Sequence, residues 1–111
     1  MAKFDSDLTR SMVESIVLKL VSEKSLYGYE IIKVVNQRTD GAFQWKEGTL
    51  YPCLHRLENA KLIESYWETA DNGRKRKYYS ISKKGLKQFG KKSQEWSAFS
   101  FAVNKIMLAG A

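Results

Sequence analysis

Near residue 63 the apolar pattern of this chain changes period, and that switch restricts the folds open to it more than any other feature. Before it, apolar residues recur every three or four positions; after it they alternate along two short stretches and then return to helical spacing. Leu8, Met12, Ile16 and Leu20, flanked by Val13, Val17 and Val21, predict a helix from about Leu8 to Ser22. Its second half, Ile16-Val17-Leu18-Lys19-Leu20-Val21, is apolar nearly all round, so a second covering surface is expected. Ser25-Leu26-Tyr27-Gly28 interrupts the pattern. Tyr29 to about Gln37 reads as a short second helix with Ile31, Ile32 and Val35 inward, ended by Asp40-Gly41. A third helix from Gly48 or Thr49 to about Asn59 carries Leu50, Leu54 and Leu57 as one buried row. Pro52, the only proline, is expected in its first turn, where a missing N–H costs nothing.

Ile63 to Thr69 and Lys77 to Ile81 are rich in Tyr, Trp, Ile and Thr and flank Asp71-Asn72-Gly73, a hairpin signal. From Ser82, a candidate N-cap, a long final helix runs to about Leu108. Three helices, a hairpin and a long helix make an α+β, mainly helical chain. The order is that of a winged helix-turn-helix, expected over residues 1–82, with a dimerisation helix over 83–111.

Charge narrows the partners. The chain has 19 Lys and Arg against 12 Asp and Glu, a net +7. Residues 1–71 are net −2, whereas residues 72–111 are net +9 and hold a single acid, Glu95. Such asymmetry favours an anionic partner. No stretch approaches the roughly 18 apolar residues that span a bilayer, and Met1 to Asp7 lacks an apolar secretory core. One cysteine, Cys53, excludes an intramolecular disulfide and fits a reducing compartment. A cytoplasmic protein without a membrane role is expected.

Projected at about 100° per residue, the third helix places Thr49, Pro52, His55, Arg56 and Asn59 opposite its leucine row, with Tyr51 on the flank. That arc offers hydrogen-bonding groups, an arginine able to read guanine and a flat ring, and Lys46 precedes it. It is equally what an ordinary amphipathic helix shows to solvent. Gly73-Arg74-Lys75-Arg76-Lys77 adds four consecutive cations at the hairpin turn, a repulsive cluster unless an anion sits there. Lys46, Thr49, Tyr51, Pro52, His55, Arg56 and Gly73 to Lys77 are therefore the expected contacts to double-stranded DNA. The alternative is a basic protein-interaction module that uses the hairpin on an acidic partner.

In the final helix Phe89, Trp96 and Val103 recur every seven residues, and Phe99 and Ile106 form a second row offset by three. This seam, with Met12, Ile16 and Leu20, is the expected homodimer interface; folding back onto its own domain is the other option. Trp96 and Phe99 together suit a planar aromatic ligand. Catalysis finds no support. Cys53 and His55 lie about 200° apart on a helix, no second histidine completes a zinc site, and Ser80-x-x-Lys83 straddles a strand end and a helix start. No cofactor or metal is expected.

Leu26-Tyr27-Gly28-Tyr29-Glu30-Ile31-Ile32, Glu47-Gly48-Thr49-Leu50-Tyr51-Pro52-Cys53-Leu54-His55-Arg56-Leu57-Glu58, Arg76-Lys77-Tyr78-Tyr79 and Gly85 resemble the PadR family of transcriptional regulators over about residues 8–90. The resemblance implies a bacterial, dimeric, winged-helix repressor of a palindromic operator. It also implies response to phenolic or other planar aromatic compounds in detoxification or multidrug efflux. The single final helix is similar to that of the family's short-chain branch, some of whose members take planar drugs between tryptophans there. Two positions depart from the family pattern: Cys53 replaces a larger aliphatic residue, and Lys61 stands where a helix-ending glycine is common.

Overall fold

The computed structural model describes residues 6–110, with side chains described from residue 12 onward. The expectation for Met1 to Asp5 and the side chain of Leu8 therefore lie outside the described residues. The elements are α1 (Ser6–Glu23), β1 (Leu26–Tyr27), α2 (Gly28–Arg38), α3 (Glu47–Asn59), β2 (Ile63–Thr69), β3 (Lys75–Ile81) and α4 (Lys83–Met107). The fold is α+β and mainly helical, with the winged helix-turn-helix order and a long terminal helix.

The core is built from the rows that periodicity marks. Val13, Val17, Leu18, Leu20 and Val21 of α1 meet Ile31 and Val35 of α2, Leu50, Leu54 and Leu57 of α3, and Ile63 and Tyr79 of the sheet. Most of the apolar surface of α1 is thus covered inside one chain, that of Ile16 only in part. Leu20, expected at a subunit interface, is only 4% exposed and already covered by its own domain. Cys53 fills the inner side of α3 beside the leucines, fully buried.

Three elements differ from expectation. The Ser25 to Gly28 interruption contains β1, whose Leu26 and Tyr27 pair with Tyr79 and Tyr78 and make β3 the central strand, order β1-β3-β2. Two residues are too few to display a period, so the strand exists only by pairing with its neighbour. Pro52 is the sixth residue of α3, a turn later than the first-turn position expected. Its ring therefore removes the amide that would bond the Gly48 carbonyl, and the cost is contained because Gly48 is solvent-exposed.

β3 begins at Lys75, two residues before the expected start, so Lys75 and Arg76 are strand residues paired with Thr69 and Glu68. The turn closes through Gly73 N–H to the Ala70 carbonyl (2.9 Å) and Ala70 N–H to the Arg74 carbonyl (2.7 Å). Gly73 there has φ 82°, a left-handed conformation that glycine adopts without steric cost.

The α3–β2 corner is tied to α4. Leu62 N–H bonds the Leu57 carbonyl (2.9 Å) and Lys61 N–H the Glu58 carbonyl (3.0 Å), the paired bonds of a Schellman helix end. The Ser82 hydroxyl caps α4 by accepting from Gly85 N–H (3.0 Å) and donates to the Lys61 carbonyl (2.7 Å). A Cβ built on Gly85 would lie 2.0 Å from the Leu62 carbonyl oxygen, so only glycine lets the first turn of α4 press onto this corner.

Candidate nucleic-acid interface

With Leu50, Cys53, Leu54 and Leu57 turned inward, α3 is left with one outward surface. Thr49, Tyr51, Pro52, His55 and Arg56 are all exposed on it, and Lys46 stands exposed at its N-cap. Arg56 leans toward α1, its Nε 3.7 Å from a Glu14 carboxylate oxygen, with both side chains about half exposed. Such a surface pair is weak enough for the guanidinium to exchange partners. Tyr51 lies against the start of α2: a Cβ on Gly28 would fall 2.4 Å from the Tyr51 hydroxyl oxygen. Gly28 therefore sets where the Tyr51 ring stands, a role that a single glycine in a Tyr-Gly-Tyr sequence does not announce.

The hairpin is fixed to α3 through Glu58. Its carboxylate accepts hydrogen bonds from Ser65 of β2 and from Lys77 Nζ of β3 (3.4 Å). The Ser65 hydrogen bond holds the Glu58 pKa below the ordinary carboxylate range, assisted by the Lys77 charge and opposed by partial burial. Neither Glu58 nor Ser65 was among the expected functional residues; Glu58 shows itself only once the register brings β2 and β3 beside the last turn of α3.

Strand geometry divides the four hairpin cations. Lys75 and Lys77 share the sheet face that carries Ser65 and Tyr79, the face turned to α3. Arg76 is on the opposite face, its guanidinium 4.6 Å from the centre of the Tyr27 ring. There Tyr27, Tyr78 and Tyr66 form an aromatic ladder, with ring centres 5.4 and 5.6 Å apart. Cation–π contact with Tyr27 thus occupies Arg76, and Lys77 is ion-paired with Glu58. Arg74 and Lys75, with Gly73, remain exposed at the tip, and among the described residues neither cation has an ion-pair partner. The four cations that follow one another in the sequence therefore stand in different surroundings.

In α4, Phe89 packs against the chain's own core. Further along, Trp96 (46% exposed) lies 6.2 Å from Phe99, and Phe99, Val103 and Ile106 face outward, Ile106 at 82% exposure. A cleft of about 630 Å³ opens between α1, α2 and α4, with Met12, Ile16, Phe43, Phe89, Lys92 and Trp96 in its lining. The Cys53 thiol is pushed up to about 12, chiefly by burial and secondarily by Glu14, so it is no nucleophile. Among the described residues no group of three or more His, Cys, Asp or Glu could hold a metal ion, and no helix is long and apolar enough to cross a membrane.

Comparison with known proteins gives this arrangement a family. The Transcriptional regulator PadR-like family matches residues 17–91, which hold α2, α3, the hairpin and the start of α4. A transcriptional regulator from Clostridium thermocellum is similar in structure with a TM-score of 0.85 and 36% identity, over 94% of this chain and 98% of that one. A PadR-like transcriptional regulator from Bacillus cereus matches with a TM-score of 0.83 and 36% identity, over 96% of this chain and all of its own. A protein of Lysinibacillus sphaericus is 39% identical over 102 residues, 92% of this chain and 94% of that one. An exposed polar face on α3, a basic hairpin tied to it and these likenesses converge: the chain belongs to the PadR-like family of DNA-binding transcriptional regulators, and it is not an enzyme.

Proposed function

We propose that this regulator is a cytoplasmic homodimeric repressor that binds a palindromic operator and is released by a planar aromatic or phenolic ligand. Residues 1–82 form the DNA-binding unit in this reading, and 83–111 the dimerisation helix. The observation that carries it is the pairing of the outward face of α3 with a hairpin whose exposed cations, Arg74 and Lys75, stand beyond its fastened base. α3 enters the major groove, where Thr49, Tyr51, His55 and Arg56 meet base edges, while Lys46, Pro52 and Gly73 to Lys77 follow the backbone. Met12, Ile16 and the outer row of α4 make the contact between copies, with Leu20 and Phe89 supporting it from the core side. The half-exposed Trp96 and neighbouring Phe99, beside the cleft, supply flat apolar surface for the ligand.

Selection of bound sites from a random duplex library, with and without planar aromatic cations and phenolics, tests this. The expected product is a two-half-site palindrome whose recovery falls when the right ligand is present. Arg56→Ala costs about 1–3 kcal/mol at one operator position if it reads a base. Loss of Arg74 or Lys75 weakens all sequences and flattens the salt dependence by about one unit per phosphate contact. Binding indifferent to both sequence and salt would leave the protein-interaction reading in its place.

A further inference from the structure

The three tryptophans are treated very differently by the fold. Trp45 is buried and stacked on Phe43, and Trp96 sits with Phe99. Trp67, in the middle of β2, is 66% exposed, and among the described residues it has no ring or cation partner. An indole left in water is unfavourable for the isolated chain, and it lies on the hairpin, away from the α4 seam.

Its register says which way it faces. On one side of the hairpin the cross-strand pairs run Ile63–Ile81, Ser65–Tyr79, Trp67–Lys77 and Thr69–Lys75. The first pair belongs to the core, Ser65 bonds Glu58 of α3, and Lys77 reaches the same carboxylate. Trp67 is the next step outward on this α3-facing side, where it shares a shallow groove with Thr69 and Lys75. Glu68 borders the groove, but its strand position turns toward Arg76 on the other face. An unpartnered flat apolar ring thus stands between one cation tethered to α3 and one exposed at the tip, with a hydroxyl beside it.

We propose that Trp67 is a DNA contact of the wing: its ring packs on the deoxyribose of the strand bordering the groove that α3 enters, and its Nε1–H donates to a phosphate oxygen. This rests on the DNA-binding reading above and adds an uncharged contact that follows the backbone without reading bases. The chemistry fits on both counts, since a sugar offers an apolar C–H face, and an indole nitrogen is a donor only. Lys75 and Arg74 then meet the adjoining phosphates, and the Glu58 tie sets the distance between Trp67 and α3.

The test compares full-length protein with Trp67→Ala, Trp67→Phe and Lys75→Ala on selected operator and on random duplex over a range of salt. Trp67→Ala should weaken both duplexes by about tenfold without changing the salt slope, because no charge is removed. Lys75→Ala should lower the slope by about one unit. Acrylamide should quench Trp67 in the free protein and lose access to it when duplex is added, and that protection should be missing from Trp67→Phe. If the parent protein binds duplex while Trp67→Ala binds equally well and quenching is unaltered by DNA, the Trp67 contact is overturned and the regulator reading stands. If the parent protein does not bind duplex, both fall together.

Discussion

Lys61 occupies the left-handed backbone region, φ 65°, at the first position beyond the C-cap of α3. This is the position where a Schellman helix end ordinarily takes glycine, because a Cβ there crowds the backbone. Lys61 is held in place by the bonds around it, from Leu62 N–H to Leu57 and from the Ser82 hydroxyl to its own carbonyl. Its side chain is exposed and has no hydrogen-bond or ion-pair partner among the described residues. Lys61→Gly should therefore relieve strain without losing a contact and raise stability by about 0.5–1 kcal/mol, the gain being trimmed by the greater freedom of an unfolded glycine. Urea unfolding, with an unchanged slope and a higher midpoint, is the measurement that checks it.

At the scale of elements, the Glu58 junction makes the hairpin's attachment depend on pH. A carboxylate whose pKa is lowered by folding contributes its stabilisation above its unfolded value and loses it as pH falls through the lowered one. The junction should thus be intact at neutral pH and loosen only in acid. Ser65→Ala removes the largest cause of the lowering, so the Glu58 carboxyl, followed by NMR, should titrate at higher pH than in the parent protein. An unmoved Glu58 titration would show that Ser65 is not its principal partner. Helices were legible because Leu50, Leu54 and Leu57 or Ile31 and Val35 repeat over several turns. β1 was not, since its two residues take their conformation from pairing with Tyr78 and Tyr79. The outward row of α3 follows from spacing alone. The opposed directions of Arg76 and Lys77 depend on the strand starting at Lys75, and a run of four cations hides that boundary.

For the whole molecule, the extents of 59 × 32 × 20 Å reflect α4, whose 25 residues outrun the body they are rooted in. Its first turns are packed, whereas Phe99, Val103 and Ile106 lie beyond the core and are exposed, Ile106 most of all. If these residues join two copies, Ile106→Glu or Val103→Glu places a charge in the seam and should yield monomers in sedimentation, with helical content and unfolding midpoint close to those of the separated parent chain. Binding to a two-half-site operator should collapse with it, and a variant that stays dimeric would put the contact elsewhere.

Ser82 and Gly85 make the root of α4 a welded joint instead of a hinge. The hydroxyl grips the carbonyls of Lys61 and Leu62, Lys84 Nζ holds the Ala60 carbonyl (3.0 Å), and the missing Cβ leaves no gap for play. Those carbonyls belong to the C-cap of α3 and the two residues after it, so the two helices turn as one piece. If two copies pair through α4 as proposed, a roll of one α4 against its mate is geared directly to the angle and spacing of the two α3 helices, with α4 as the tiller.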